Sequence, residues 1–310
     1  MKIEHVYVCC SEHDLRYTRC CVASIRRWYP NIPISLVKDE TNRPFDTREL
    51  EQGWNVRVFQ TEHPVPSGGW SKLEPLLLPT RQRSLILDSD IVFLGRVIER
   101  LETIEADFIV ESVGGWMSLL DQHYFDLEAL QEQFDPGFKF PGYTFNVGQL
   151  VATSGILRRE DFEPLVLFSA TPQRIRSDIF GGHDQGVINY VLLKKAQEGE
   201  LSLGRVNFML WGWSRLPRSG SQAIRTGRLS SSSPYPYLIH WHGRKLQLFW
   251  LMRNGRLLRH FERDYYSRVP RGRLKRAWRT ARLAWAIVSG RQSRRVLWND
   301  PTAPGFASFT

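Results

Sequence analysis

The stretch 84–95, SLILDSDIVFLG, constrains this chain more than any other, because it sets two carboxylates between two runs made to be buried. Leu85-Ile86-Leu87 suits a strand covered on both faces, as in the middle of a parallel sheet. Asp88 and Asp90 interrupt it, and Ile91-Val92-Phe93-Leu94 returns the chain to the core. Residues two apart in a strand point to the same side, so both carboxylates can reach one object. Acidic groups between buried runs are costly unless something neutralises them. A hard divalent cation such as Mn²⁺ or Mg²⁺ answers that need, since it prefers oxygen ligands and keeps positions open for substrate phosphates. The alternative is an Asp-Ser-Asp turn whose side chains cap a helix.

With 310 residues, 42% of them apolar, the chain can bury a large core as one main domain, 1–250, followed by a tail, 251–310. No stretch of about 18 uncharged apolar residues exists, and MKIEHVYV enters a strand directly, so neither a membrane span nor export is expected. The cysteines form two adjacent pairs, Cys9-Cys10 and Cys20-Cys21, a poor layout for disulfides or zinc and one that suits buried thiols in the cytoplasm. Net charge is +10, but from Arg253 to Arg295 there are 14 Lys and Arg against Glu262 and Asp264, which leaves the main domain near neutral. The basic character belongs to the tail, and no nucleic-acid partner is expected.

Residues 5–10 read as a first strand, 15–28 as a helix and 34–37 as a second strand. This β-α-β opening implies a parallel sheet with right-handed crossovers. The loop Ser11-Glu12-His13 then falls at the carboxyl end of the first strand, where open α/β sheets hold nucleotides. No GxGxxG or Walker pattern is present, which disfavours a dinucleotide or P-loop site. Residues 70–76 read as a helix carrying Lys72, a phosphate or sugar contact or else a solvated lysine. Residues 108–111 form a strand, and 116–134 an irregular aromatic-rich excursion. Asn146, ahead of the strand 149–153, is a sugar-binding amide or a turn residue before glycine. Asp184 precedes the helix 186–193 and could be only its N-cap. The strand 235–241 ends in His240-Trp241-His242-Gly243-Arg244-Lys245, where an imidazole, a glycine and two cations suit a metal-bound diphosphate.

Taken in order, these segments resemble the retaining nucleotide-sugar glycosyltransferases of family eight, which include glycogenin and bacterial lipooligosaccharide galactosyl- and glucosyltransferases. The resemblance spans roughly residues 5 to 250. Lys72 stands sixteen residues before Asp88, like the family's helix lysine, and Asp88-Ser89-Asp90 resembles its DxD. Phe145-Asn146-Val147-Gly148 is similar to FNxG, the segment from Asp184-Gln185 to Asn189 to DQxxLN, and His240-Trp241-His242-Gly243 to HFxG. The resemblance implies an α/β GT-A fold, Rossmann-like, with a mixed, mainly parallel sheet flanked by helices. It implies Asp88, Asp90 and His240 as ligands of Mn²⁺ or Mg²⁺, and a UDP-sugar donor held by Ser11, Lys72, Asp88, Ser89, Asn146, Gly243 and Lys245, with Arg244 as the alternative clamp. Asp184 and Gln185 would be catalytic, Gln185 near the anomeric carbon and Asp184 the alternative nucleophile. The chain departs from the family in two places: Lys245-Leu246-Gln247 replaces lysine-proline-tryptophan, and Tyr143 stands where some relatives carry aspartate.

From Arg271 the tail has helical periodicity, with Leu274, Trp278, Ala281, Trp285 and Val288 on one face and Arg273, Lys275, Arg276, Arg279 and Arg282 largely opposite. Such a helix suits an anionic membrane surface, through a basic segment running from Arg271 to Arg295, or else packs on the domain with a solvated basic face. The function expected is hexosyl transfer to a glycan or lipid-linked glycan in surface polysaccharide or lipopolysaccharide assembly, in the cytoplasm or at the inner face of the membrane. The alternatives are an inverting transferase with Asp121 or Asp126 as base, and a basic membrane- or nucleic-acid-binding protein with an inactive domain.

Overall fold

The computed structural model describes residues 1–40, 44–61, 68–112, 120–168, 173–181, 184–216, 238–243 and 248–288. The chain opens with β1 (His5–Ser11), α1 (Leu15–Trp28), β2 (Ile34–Asp39), α2 (Arg48–Trp54) and β3 (Arg57–Val58). A 3₁₀ turn (Gly68–Lys72) runs into the one-turn α3 (Leu73–Leu76), then β4 (Arg83–Asp88), β5 (Ile91–Phe93), α4 (Val97–Glu102) and β6 (Phe108–Glu111). Next come α5 (Leu120–His123), α6 (Leu127–Gln133), β7 (Gln149–Thr153), β8 (Val166–Leu167), β9 (Gln173–Arg174), α7 (Asp184–Gln197), β10 (Leu203–Val206) and β11 (Met209–Trp211). The last elements are β12 (Leu238–His240), α8 (Gly255–Ser267) and α9 (Gly272–Val288).

Seven strands form the main sheet in the order β10-β6-β7-β4-β1-β2-β3. β7 runs antiparallel to both its neighbours and every other pairing is parallel. The expected mixed, mainly parallel α/β sheet is therefore present. Its central strands β1, β4, β6 and β7 are largely apolar because both faces are covered. Val6, Val8, Leu85 and Leu87 point into one core with α1, α2 and α4, while Tyr7, Cys9 and Ile86 point into the other with α3, α6 and α7. Cys9 and Cys10 consequently face opposite layers, and all four cysteines are free and buried. Burial pushes the Cys9 thiol up to about 12, which leaves it an inert packing group.

From β1 the chain moves one way to β2 and β3, and the other way to β4. The sheet's topological switch point therefore lies between β1 and β4, and an open α/β sheet leaves a crevice at the carboxyl ends of such a pair. β5, β12 and β11 make a small second sheet beyond it, with β12 antiparallel to β5 and parallel to β11.

Three expectations need correction. Residues 116–134 are not wholly irregular, since 120–134 hold α5 and α6, helices of four and seven residues that are too short to show a periodicity. Lys72 sits on a 3₁₀ turn ahead of the helix and not within it. The expected boundary at 250 cuts through the core, for Phe249, Leu257, Leu258, Phe261, Tyr265, Tyr266 and Val269 belong to the same buried cluster as α1 and β1. Of the strand expected over 235–241, the described part is Leu238–His240.

Candidate active site

Asp88 ends β4 at the switch point, in register with Cys9 of β1. The strand stops there, so Asp90 reaches the same place from a turn and not from strand alternation. Its backbone carbonyl accepts from Trp241 N at 3.2 Å, which joins the turn to the end of β12. The pairing of His240 with Ile91 brings the imidazole over both carboxylates. His240 Nε2 is 3.2 Å from Asp90 Oδ1 and 3.8 Å from Asp88 Oδ2, and one ligand atom from each of the three lies within 4.8 Å of the others. Two carboxylates and an imidazole from three chain segments are a donor set that fits a divalent cation. Burial raises the Asp88 pKa even with the Lys72 ammonium beside it, so this corner of the fold favours added positive charge.

Lys72 is buried between Asp88 Oδ1 at 2.8 Å and Asp184 Oδ2 at 3.0 Å. Burial alone would lower its pKa, but Asp184 and Asp88 outweigh that and raise it, and the ammonium stays charged. Asp184 does begin α7, yet its carboxylate is committed to Lys72. A side chain at Gly69 would overlap that carboxylate, which explains a glycine before Trp70.

Asn146 makes a turn and an amide contact at once. Its Oδ1 accepts from Gly148 N at 2.8 Å, and its Nδ2 donates to Gln185 Oε1 at 3.0 Å. Gln185 Oε1 also accepts from Val147 N at 3.3 Å. Asn189, one turn along α7, clips the same segment by accepting from Phe145 N and donating to Phe145 O. Gly148 is the hub: its carbonyl accepts from Asp88 N at 2.7 Å, and a Cβ there would run into His240, Asn146 and Asp88 together.

Seven of the expected residues, Lys72, Asp88, Asp90, Asn146, Asp184, Gln185 and His240, thus converge. Ser89 is buried in the turn between Asp88 and Asp90, and Gly243 takes a left-handed φ of 78° in the turn after β12. Ser11 ends β1, two residues beyond the partner of Asp88, and its hydroxyl donates to Asp14 Oδ2 at 3.2 Å. Arg244 and Lys245 lie outside the described residues. Asp126 is spent as the N-cap of α6, accepting from Ala129 N at 3.0 Å, and Asp121 is exposed on α5. One residue was missed: Glu111, buried at the end of β6, accepts from Asn146 N at 3.3 Å. The signal was legible, because FIVE ends an apolar strand on a carboxylate as LILD does.

Compared by sequence, the chain matches no protein-family model and no curated protein. Compared by structure, it is similar to the bifunctional glycosyltransferase WbbM without ligand, with a TM-score of 0.55 and 13% identity over 87% of this chain and 50% of that one. This chain therefore spans half the length of WbbM. The fold is GT-A. Weaker likenesses are to the galactosyltransferase LgtC in complex with donor and acceptor sugar analogs (TM-score 0.46, 14% identity, 86% of this chain and 97% of that one) and to the apo form of GlyE of Streptococcus pneumoniae TIGR4 (TM-score 0.47, 12% identity, 97% and 66%). The GT-A fold rests on the first likeness together with the sheet order and the crevice described above.

Proposed function

We propose that this protein is a metal-dependent glycosyltransferase that moves a hexose from a UDP-sugar to a glycan or lipid-linked glycan, with retention. The observation that carries the reading is the convergence of Asp88, Asp90 and His240 at the switch point of a GT-A sheet. These three would hold Mn²⁺ or Mg²⁺, whose Lewis acidity serves the departure of a nucleotide diphosphate. Lys72 pairs with both Asp88 and Asp184 and fixes the two carboxylates in place. Asn146, Asp184 and Glu111 offer a row of hydrogen-bonding groups to the hydroxyls of the donor sugar.

Gln185 has its amide oxygen already engaged by two donors, and Asp184 is paired with Lys72. Neither is a free nucleophile. That favours a route in which acceptor and leaving group share one face of the sugar. Arg244 or Lys245 would complete the diphosphate site.

For localisation, no helix among the described residues is long and apolar enough to cross a membrane. The outward face of α9 carries Leu274, Trp278 and Trp285, which supports contact with an anionic membrane surface and work on a lipid-linked acceptor in surface polysaccharide assembly.

Thermal shift with nucleoside diphosphates, with and without Mn²⁺, tests the centre of this reading. UDP at about a hundred times its Kd should add about 2.7 kcal/mol of stability. The gain should require Mn²⁺ and vanish in Asp90→Ala. Absence of any metal-linked nucleotide response in the wild type would overturn it.

A further inference from the structure

Beside His240 the second sheet carries an aromatic group that the donor site does not use. Trp211 pairs with His240 in register, and its ring lies 5.7 Å from the imidazole. Trp213 stacks on Trp211 with centroids 5.2 Å apart and planes within 1° of parallel. His242 stands edge-on against both, at 4.6 and 4.7 Å. Trp213 nevertheless remains 40% exposed.

The turn that presents it is tied down on every side. Gly212 N donates to His240 O at 2.7 Å and Ser214 N to Trp211 O at 2.9 Å. The side-chain amide of Asn254, a residue held in the left-handed region at φ 57°, donates to Gly212 O at 2.8 Å and Ser214 O at 2.9 Å. Any side chain at Gly212 would overlap the Trp241 indole, which is itself anchored to Arg253 O at 3.1 Å. A large apolar ring kept in water and held this firmly gains little for the fold, since a buried position would stabilise it more. Rigid support under an exposed aromatic face is what a binding site requires.

We propose that the Trp211–Trp213 stack is the acceptor platform, on which a pyranose ring lies with its C–H face against the outer face of Trp213. The axial C–H bonds of a hexose are weakly positive and match the negative face of an indole, while its hydroxyls point away into water. The inference rests on the transferase reading, because it is the neighbouring His240, within the cation-binding group, that makes a sugar bound here an acceptor.

Saturation-transfer NMR with lactose, maltose and cellobiose, in the presence of UDP and Mg²⁺, tests it. At least one disaccharide should show saturation concentrated on the C–H protons of one ring. Trp213→Ala should weaken that binding at least tenfold and Trp213→Phe only about twofold. Asn254→Ala, which frees the turn without touching the sugar, should also weaken it, and UDP binding should stay unchanged in all three variants. No saccharide signal in the wild type, or equal signals in wild type and Trp213→Ala, overturns the platform. Sugar binding that depends on Trp213 in a protein that does not bind UDP would uphold the platform and overturn the transferase reading.

Discussion

The two C-terminal helices, α8 and α9, have the same kind of sequence and opposite fates. Both are amphipathic and rich in arginine. The apolar face of α8 is buried against α1: Leu257, Leu258, Phe261 and Tyr265 fill the core, and Tyr265 stacks on Trp54 at 5.4 Å. In α9 the packing is inverted. Leu274, Trp278 and Trp285 are 70%, 59% and 68% exposed, while Lys275 and Arg279 reach inward to Glu49 at 2.9 Å each and Arg276 to Glu262 at 3.3 Å. An amphipathic pattern shows that a helix has two faces, and the residues waiting on the neighbouring surface decide which one turns in. Beside α1 the waiting surface is apolar, whereas beside α9 it presents two carboxylates.

The largest expected effect follows from that contrast in stability. Phe261→Ala in α8 should cost about 3–5 kcal/mol, as a large aromatic removed from a packed core does. Trp278→Ala or Trp285→Ala in α9 should stay within about 0.5 kcal/mol, as exposed positions do. Urea unfolding monitored by far-UV circular dichroism measures both. A loss of several kcal/mol at Trp285 would mean that α9 buries its apolar face in solution, and the comparison would fail.

The same contrast shows what the sequence could and could not reveal. Strand β4 and helix α1 were legible because a doubly buried strand is apolar without interruption, and a helix of fourteen residues gives several turns of periodicity. The convergence of Asp88, Asp90 and His240 was legible because polar groups beside apolar strands stand out chemically. The partnership of Lys72 with both Asp88 and Asp184 was not, since it joins residues 112 positions apart through packing alone. Glu111 lies between the two cases: a carboxylate ending an apolar strand is legible, while its partnership with Asn146 comes from packing. The place of α8 is hidden because the residues after 250 stand out by charge, and charge describes the outer face of a helix and not the face that packs.

The next effect concerns lipid. If the outward face of α9 meets a membrane, replacing both Trp278 and Trp285 by serine should weaken binding to vesicles of phosphatidylglycerol and phosphatidylcholine at least tenfold, about 1.4 kcal/mol. UDP binding should be untouched, because none of the residues proposed to hold the nucleotide lies on α9. Added salt should weaken the wild type too, as the basic residues contribute a screened attraction. Equal sedimentation of the double variant and the wild type with vesicles would remove the membrane from the account and leave α9 a helix packed through its charges.

The smallest effect isolates how α9 is held. Burial alone would raise the Glu49 carboxyl, but the hydrogen bonds from Arg279 and Lys275 lower it from an ordinary value of 4.5 to about 2. A carboxylate depressed in the folded state adds stability that is fully present above its unfolded value and is lost as pH falls through the folded one. The window is therefore pH 4.5 down to 2. Because the cluster is partly solvent-exposed, its worth after screening is below about 1 kcal/mol. Urea unfolding at pH 5 and at pH 2 should show the wild type losing more stability than Glu49→Gln by that amount. Phe261→Ala should lose as much between the two pH values as the wild type does, since the apolar face of α8 does not titrate. A wild type and a Glu49→Gln variant with the same acid dependence would show that the inward face of α9 rests on something other than Glu49.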